Sequence, residues 1–197
     1  IIKYSAAALS LLLLFIYWIY RLRGEVAERQ QAEIRERFHN RVLELLSKDA
    51  SLPDILETIV VGVEQENPQM LCSILLLDGD GKHLLNGAAP SLPELYTEAI
   101  DGLKIGPCVG SCGTAAYSGE RVIAEDIQSH PYWELYKGLA EKASLGSCWS
   151  EPIKDASGAV LGTFAIYHHQ PGSPSLADIQ LIERVYNSHK LLSLLNR

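Results

Sequence analysis

SCWSEPIKDASGAVLGTFAIYH, Ser147 to His168, reads as a strand, a tight turn and a second strand. Ser147 to Ile153 and Val160 to His168 form the strands, and Asp155-Ala-Ser-Gly158 carries turn residues between them. A matching pair lies upstream. Met70 to Leu77 (MLCSILLL) is apolar on both alternating faces, the pattern of a central strand covered on both sides. Asp78-Gly-Asp-Gly81 turns the chain, and Lys82 to Gly87 pairs back as a hairpin. This acidic turn is not a calcium loop, since the remaining acidic positions and the terminal Glu are missing.

Helices frame these hairpins. Ser51-Leu-Pro-Asp54 is a capping box that opens a helix whose buried face is Ile55, Leu56, Ile59, Val60 and Val63. Leu92 to Ile100 is expected to be helical, and Gly106 to Tyr117 (GPCVGSCGTAAY) is a Gly-rich loop running into a short helix. Arg121 to Ala124 is a short strand and Tyr132 to Lys142 a helix. Ser175-Leu-Ala-Asp178 caps a last helix that runs close to Arg197. Helix, hairpin, irregular middle, hairpin, helix describes an α+β domain, an antiparallel sheet with helices packed on it.

The 197 residues leave room for one domain of ~100–150 residues and about fifty more. A chain 47% hydrophobic and 21% charged is neither a disordered tail nor a collagen-like fibre nor a disulfide-dense miniprotein. The net charge of −7 is unevenly spread. Residues 49–197 carry 9 Lys+Arg against 19 Asp+Glu, whereas residues 21–48 carry 7 against 5. The larger part has no basic excess to follow a phosphate backbone, so no nucleic-acid partner is expected. Because it opens at Ile1 and not at Met, the chain is expected to be a piece of a longer polypeptide.

Tyr4 to Tyr20 (YSAAALSLLLLFIYWIY) is a run of 17 residues without a charge. At ~1.5 Å per residue it spans about 25 Å, the short end of what crosses a bilayer. Tyr17, Trp18 and Tyr20 cluster at its end, and Arg21 and Arg23 follow, against a lone Lys3 before it. The positive side is the C-terminal one, which is therefore expected to be cytoplasmic. A signal peptide fits poorly, for no small-residue cleavage site follows. From Arg21 to Lys48, Leu22, Val26, Ile34, Phe38, Val42, Leu45 and Leu46 recur at roughly helical spacing among charges. So narrow a stripe needs a partner helix, most simply that of a second copy. The expected organisation is a transmembrane helix and flank over 1–23, a helical coiled-coil linker over 24–48 and a globular domain over 49–197.

Three segments together carry a family resemblance: SCGTAAYSGERVIAEDI (Ser111 to Ile127), HPYWELYKGLA (His130 to Ala140) and the opening Ser147 to His168. With the order of elements, they resemble a bacterial GAF domain over about Arg41 to Leu195. The likeness is to those of membrane-bound sensor histidine kinases and cyclic-di-GMP signalling proteins. The resemblance implies a six-stranded antiparallel sheet with helices on both sides, and a small-molecule pocket roofed by loops and short helices. It also implies dimers through the terminal helices, a place at the bacterial inner membrane with the domain cytoplasmic, and an output domain farther along. Its matching segments make Ser111, Cys112, Thr114, Asp126, Trp133 and Trp149 the candidate lining of the ligand pocket. Aromatics with a few polar groups suit a small planar ligand.

No catalytic site or metal site is read from the sequence. Cys72, Cys108, Cys112 and Cys148 in a reducing compartment are not expected to form structural disulfides. Cys108 and Cys112 lack the close ligand pairs that zinc requires. Cys112 lies near a predicted helix N-terminus, where a thiol pKa can fall, so redox sensing is an alternative to packing. Free methionine sulfoxide reductases share the GAF fold, and Cys112 resembles one of their cysteines. His130 to Leu145, where the catalytic thiol would lie, contains no Cys, and Cys148 comes late, inside a strand. Gly110-Ser-Cys-Gly113 is not a nucleophile elbow, and the glycines at 106, 110 and 113 are not a dinucleotide fingerprint. The Asn-Lys-x-Phe-Asp signature of cyclic-nucleotide GAF domains and a Cys-His bilin site are both missing. The cofactor stays open, with His130 and His83 the imidazoles that haem could use. The sequence thus leaves a ligand sensor and a ligand-free dimeric relay as its two readings.

Overall fold

A computed structural model describes residues 2–47, 50–176 and 178–181. Six strands, β1 (Leu71–Leu77), β2 (His83–Ala88), β3 (Leu103–Lys104), β4 (Val122–Ala124), β5 (Ser147–Lys154) and β6 (Val160–His168), form one sheet in the order β3-β2-β1-β6-β5-β4. Every neighbouring pair is antiparallel. The helices are α1 (Ile2–Ser47), α2 (Leu52–Glu66), α3 (Glu94–Ile100), α4 (Gly110–Ser118) and α5 (Lys137–Lys142), and another opens at Leu176.

The two hairpins meet at the centre. β1 pairs with β6 from Leu71↔Tyr167 to Leu76↔Gly162. Gly162 is required there, because a Cβ on it would stand 2.2 Å from the Leu75 carbonyl oxygen. Side-chain alternation then divides the core in two. Cys72, Ile74, Trp149, Ile153, Phe164 and Ile166 face α2, which presents the expected Ile55, Leu56, Ile59, Val60 and Val63. Leu75, Cys148, Ala165 and Tyr167 face the other way, under α3, α4 and Trp133. Ser51 caps α2 as its sequence requires: its Oγ accepts the Asp54 N–H at 3.4 Å and donates to the Asp54 carboxylate at 2.6 Å.

Three local details differ from the sequence expectation. The helix over Tyr132 to Lys142 is broken into a 3-10 turn, Pro131–Trp133, and α5. Tyr136 N–H reaches the Trp133 carbonyl at 2.7 Å, a three-residue spacing that tightens the chain out of α geometry. α3 starts at Glu94, not at Leu92, because Pro93 holds an extended ψ of 137° at its N-cap. The two-residue β3, paired with β2 at His83↔Lys104 and Leu84↔Leu103, was not expected at all.

α1 is continuous through the apolar run and the charged linker. Leu11 to Leu14, Phe15, Tyr17, Trp18 and Tyr20 all stand exposed, and Arg21 lies over the Trp18 ring at 5.7 Å. Among the described residues no helix is long and apolar enough to cross a membrane. The side chains of residues 2–10, the first part of the expected span, lie outside them. So do those of Ile34, Phe38, Val42 and Leu46 in the expected seam, and the last helix beyond Leu181. Leu45, at the end of α1, packs against the core under α2.

Candidate functional site

The site lies on the sheet face away from α2. Gly106 to Gly110 approaches α4 as a compact loop, in which the Gly106 N–H bonds the Gly113 carbonyl and the Val109 N–H bonds Thr114 Oγ1 at 3.1 Å. Gly110 opens α4 with φ +57, a backbone conformation that favours glycine, and the Trp133 ring lies 3.7 Å from where its Cβ would be. Gly119, left-handed at φ 68, ends the helix. Trp133 thus lies across the first turn of α4, and its Nε1–H donates to Ser111 Oγ at 3.0 Å. Ser111 in turn donates to the Cys148 carbonyl at 3.2 Å, so roof, helix and sheet are joined through one hydroxyl.

Beneath this roof is a cavity of about 20 Å³, lined by Leu75, Tyr96, Ile100, Leu103, Val109, Gly110, Ser111, Cys112, Trp133, Tyr136, Leu139 and Tyr167. That volume holds about one water molecule. Tyr96 and Tyr167 meet edge to face, with centroids 5.7 Å apart and planes at 80°. The Tyr167 hydroxyl lies 3.3 Å from Ser73 Oγ and 3.4 Å from Cys112 Sγ. Burial pushes both phenols well above their usual range. The aromatic rings therefore fill most of the space that the fold leaves between α3, α4 and the sheet.

Of the six residues singled out by sequence, Ser111, Cys112 and Trp133 line this cavity. Thr114 is buried behind it, holding the Val109 N–H. Asp126 is not in the lining: its carboxylate accepts the Gln128 N–H at 3.1 Å and the Ser129 hydroxyl at 2.7 Å, closing the turn after β4. Trp149 is on the opposite face, in the core under α2, where its Nε1–H donates to the Gly172 carbonyl at 3.3 Å. Its neighbours Cys148 and Ser150 face α4, so alternation along β5 sends Trp149 the other way. Tyr96 and Tyr167 were missed. Tyr167 carries a sequence signal, for it keeps the face of Ala165 in β6, but nothing local marks Tyr96.

The free cysteines differ sharply. Cys108 is exposed, whereas Cys72, Cys112 and Cys148 are buried. Cys72 lies on the α2 face, and burial followed by the nearby Glu64 charge pushes its thiol up. Among the described residues, Asp78, Asp80 and His83 bring metal-type ligand atoms close together. Their atoms are engaged in closing the β1–β2 turn. Asp78 Oδ1 accepts the Lys82 and His83 N–H groups at 2.9 and 3.0 Å, Asp80 Oδ1 accepts the Lys82 N–H at 2.8 Å, and Asp78 Oδ2 meets His83 Nδ1 at 3.0 Å.

The chain is similar to known proteins. A methyl sulfide methyltransferase-associated sensor of the archaeon Methanosarcina acetivorans is 39% identical over 158 residues, which is 80% of this chain and 16% of that protein. The chain therefore spans about a sixth of the length of that curated relative. The GAF domain of a phosphoenolpyruvate-protein phosphotransferase from Coxiella burnetii superposes with a TM-score of 0.64 at 17% identity, covering 84% of this chain and 93% of that one. Free methionine-R-sulfoxide reductase from Neisseria meningitidis, in complex with its substrate, gives 0.61 at 15% identity, with 85% and 90% covered. At such identities these structures speak for the fold alone. The six-stranded antiparallel sheet agrees with them, and the GAF domain model matches residues 49–188: the chain belongs to the GAF domain family.

Proposed function

We propose that this chain is a non-catalytic sensory module of a membrane-anchored signalling protein, acting through the way α4 and Trp133 close over the sheet. The observation that carries this reading is the aromatic cavity under Trp133, whose roof is tied to the sheet through the Ser111 hydroxyl. A ligand larger than water would need the roof to open, and lifting Trp133 from Ser111 is the proposed way. Ligand affinity would then differ between closed and open roofs, and that difference is what a binding event needs to shift a conformational equilibrium. Ser111, Cys112 and Trp133, with Tyr96, Tyr136 and Tyr167, are the proposed contacts of a small planar ligand. Thr114 supports them from behind. The relative from Methanosarcina acetivorans is by its name a sensor, which favours regulation over catalysis.

Membrane attachment through Tyr4–Tyr20 belongs to the same reading. Exposed side chains from Leu11 to Trp18 and at Tyr20 cover every side of α1, and a helix apolar all round needs an apolar surrounding. Signals are proposed to pass along α1 and the last helix of a homodimer to a further output domain of the kinase or cyclic-di-GMP type.

The ligand-free relay is the second reading, and the small cavity favours it: side chains already occupy the space that a ligand would take. Native mass spectra of the full chain released from detergent, beside a denaturing control, separate the two. A discrete extra mass lost on denaturation supports the sensor. A dimer of bare chains, unchanged after Trp133→Ala opens the roof and candidate planar ligands are added, supports the relay.

A further inference from the structure

Ser111 Oγ is a one-sided partner. Its single proton goes to the Cys148 carbonyl at 3.2 Å, so toward Trp133 the hydroxyl presents lone pairs only. Trp133 Nε1–H meets those lone pairs at 3.0 Å. A carbonyl or carboxylate brought to the same place would set acceptor against acceptor. A group that takes the place of Nε1–H must therefore bring a proton of its own.

The lining sets a second condition. Leu75, Ile100 and Leu103 stand beside the rings of Tyr96, Trp133 and Tyr167, and no Asp, Glu, Lys, Arg or His is among the lining residues. An ion taken from water into such surroundings meets no counter-charge, and its desolvation goes uncompensated. Residues 49–197, with 9 Lys+Arg against 19 Asp+Glu, add a field that repels anions further. The site selects for a neutral molecule.

Size sets the third. At about 20 Å³ the cavity holds about one water molecule. Tyr96 and Tyr167 are held within α3 and β6, whereas Trp133 ends the single 3-10 turn Pro131–Trp133. Hydrogen bonds in such a turn are poorer than those of an α-helix, so this part of the wall is the one most easily moved. Lifting the ring adds the space of one indole to the cavity. Apolar cavities on the order of 150 Å³ take up small aromatic molecules.

We propose that the Trp133 indole is a built-in occupant of this site, and that the ligand is an uncharged planar heterocycle of indole's size whose N–H replaces Nε1–H at Ser111. This inference rests on the sensory reading and names the ligand class of that same site. Binding is then an exchange, in which one ring and one N–H···O bond leave and their equivalents enter. The native chain binds more weakly than a site already emptied, by the fraction of time that its roof is open.

The test uses the full chain in detergent with a fluoroindole as probe, its bound form followed by fluorine NMR. Indole, indene (the same bicycle without an N–H) and an indole carboxylate are the competitors. Trp133→Ala should bind the probe, and indole should displace it at about tenfold lower free concentration than indene, the worth of one hydrogen bond. Adding Ser111→Ala should erase that difference. The native chain should rank the competitors in the same order at weaker affinity, and Ser111→Ala alone should abolish the ranking of indole over indene. This second comparison needs no emptied site and holds even where Trp133→Ala does not fold. A native chain that takes indene or the carboxylate as readily as indole overturns the inference and leaves the sensory reading standing. So does a preference for indole that survives Ser111→Ala. Binding by Trp133→Ala with none by the native chain means that Trp133 never lifts, which overturns the inference and the sensory reading together. No binding by either, when circular dichroism shows the variant folded, overturns both as well.

Discussion

Ser111 concentrates the site's structure into one oxygen. It accepts from Trp133 and donates to the Cys148 carbonyl, so Ser111→Ala leaves a buried indole N–H without a partner. The expected cost is about 2 kcal/mol, read from urea denaturation, with Trp133 fluorescence shifted to the red. A loss within experimental error of zero would show that the roof is held by ring packing alone. His168 makes a different case. Its Nδ1 is buried without a hydrogen bond, its ring lies 4.6 Å from that of Trp149, and burial lowers its pKa, with Asp178 opposing and His169 assisting. A base whose folded pKa is depressed stabilises the fold above its unfolded pKa and loses that contribution as pH falls toward the folded value. Urea midpoints of the native chain should therefore drop below the ordinary imidazole range more than those of His168→Gln. Parallel midpoints would sink this assignment. At this scale the face of a strand residue is legible only once its neighbours are placed: alternation along β5 sends Trp149 to the α2 face and Cys148 to the other. Tyr96 could not have been found, because it meets Tyr167 only after the sheet and α3 have formed.

Elements with a clear period were legible, and those without one were not. β1, β5 and β6 alternate or are apolar throughout, and α2 has a cap and a stripe, so each emerges from local pattern. β3 has only two residues, too few for any period, and exists because β2 offers Leu84 and His83 a partner. The break between the 3-10 turn and α5 follows from Tyr136 bonding back to Trp133, a choice that packing over α4 decides. Close approach of elements is legible only as a glycine whose reason is hidden. Gly162 sits where β6 passes β1, and Gly162→Ala would press a methyl onto the Leu75 carbonyl oxygen at 2.2 Å. Backbone cannot yield as a side-chain tip does, so the β1–β6 register must shift or open. The expected loss is about 3 kcal/mol by thermal or urea unfolding. Gly158→Ala, in the β5–β6 turn with φ +90 and open space around it, isolates backbone strain and should cost less. Equal losses at the two positions would mean that β1 and β6 are not as close as described.

For the whole molecule, the question is how the domain is coupled to α1. Its 46 residues extend ~70 Å, yet at Leu45 it joins the core against which α2 packs. Ile34, Phe38 and Val42 are spaced four apart in the sequence and precede Leu45, so the seam expected from the sequence would end beside the core contact of Leu45. A rotation of the paired helices would reach the α2 face through that last contact. Two substitutions separate the rod from the anchor. Phe38→Glu should convert the proposed dimer into a monomer, measured by light scattering of the full chain in detergent, while the unfolding of residues 49–181 stays nearly unchanged. Leu45→Ala should do the reverse, keeping the dimer and lowering the domain's stability by about 2 kcal/mol as it leaves a gap under α2. A dimer that survives Glu at all three of Ile34, Phe38 and Val42 removes the seam as the site of pairing. It would shift the coupling to the last helix, which begins at Leu176 and reaches the same core through Leu181. Both routes end on the α2 face, opposite the cavity, so a change at Trp133 must cross the sheet to be felt by either. β5 is the shortest path, with Cys148 under the roof and Trp149 beneath α2 on consecutive residues.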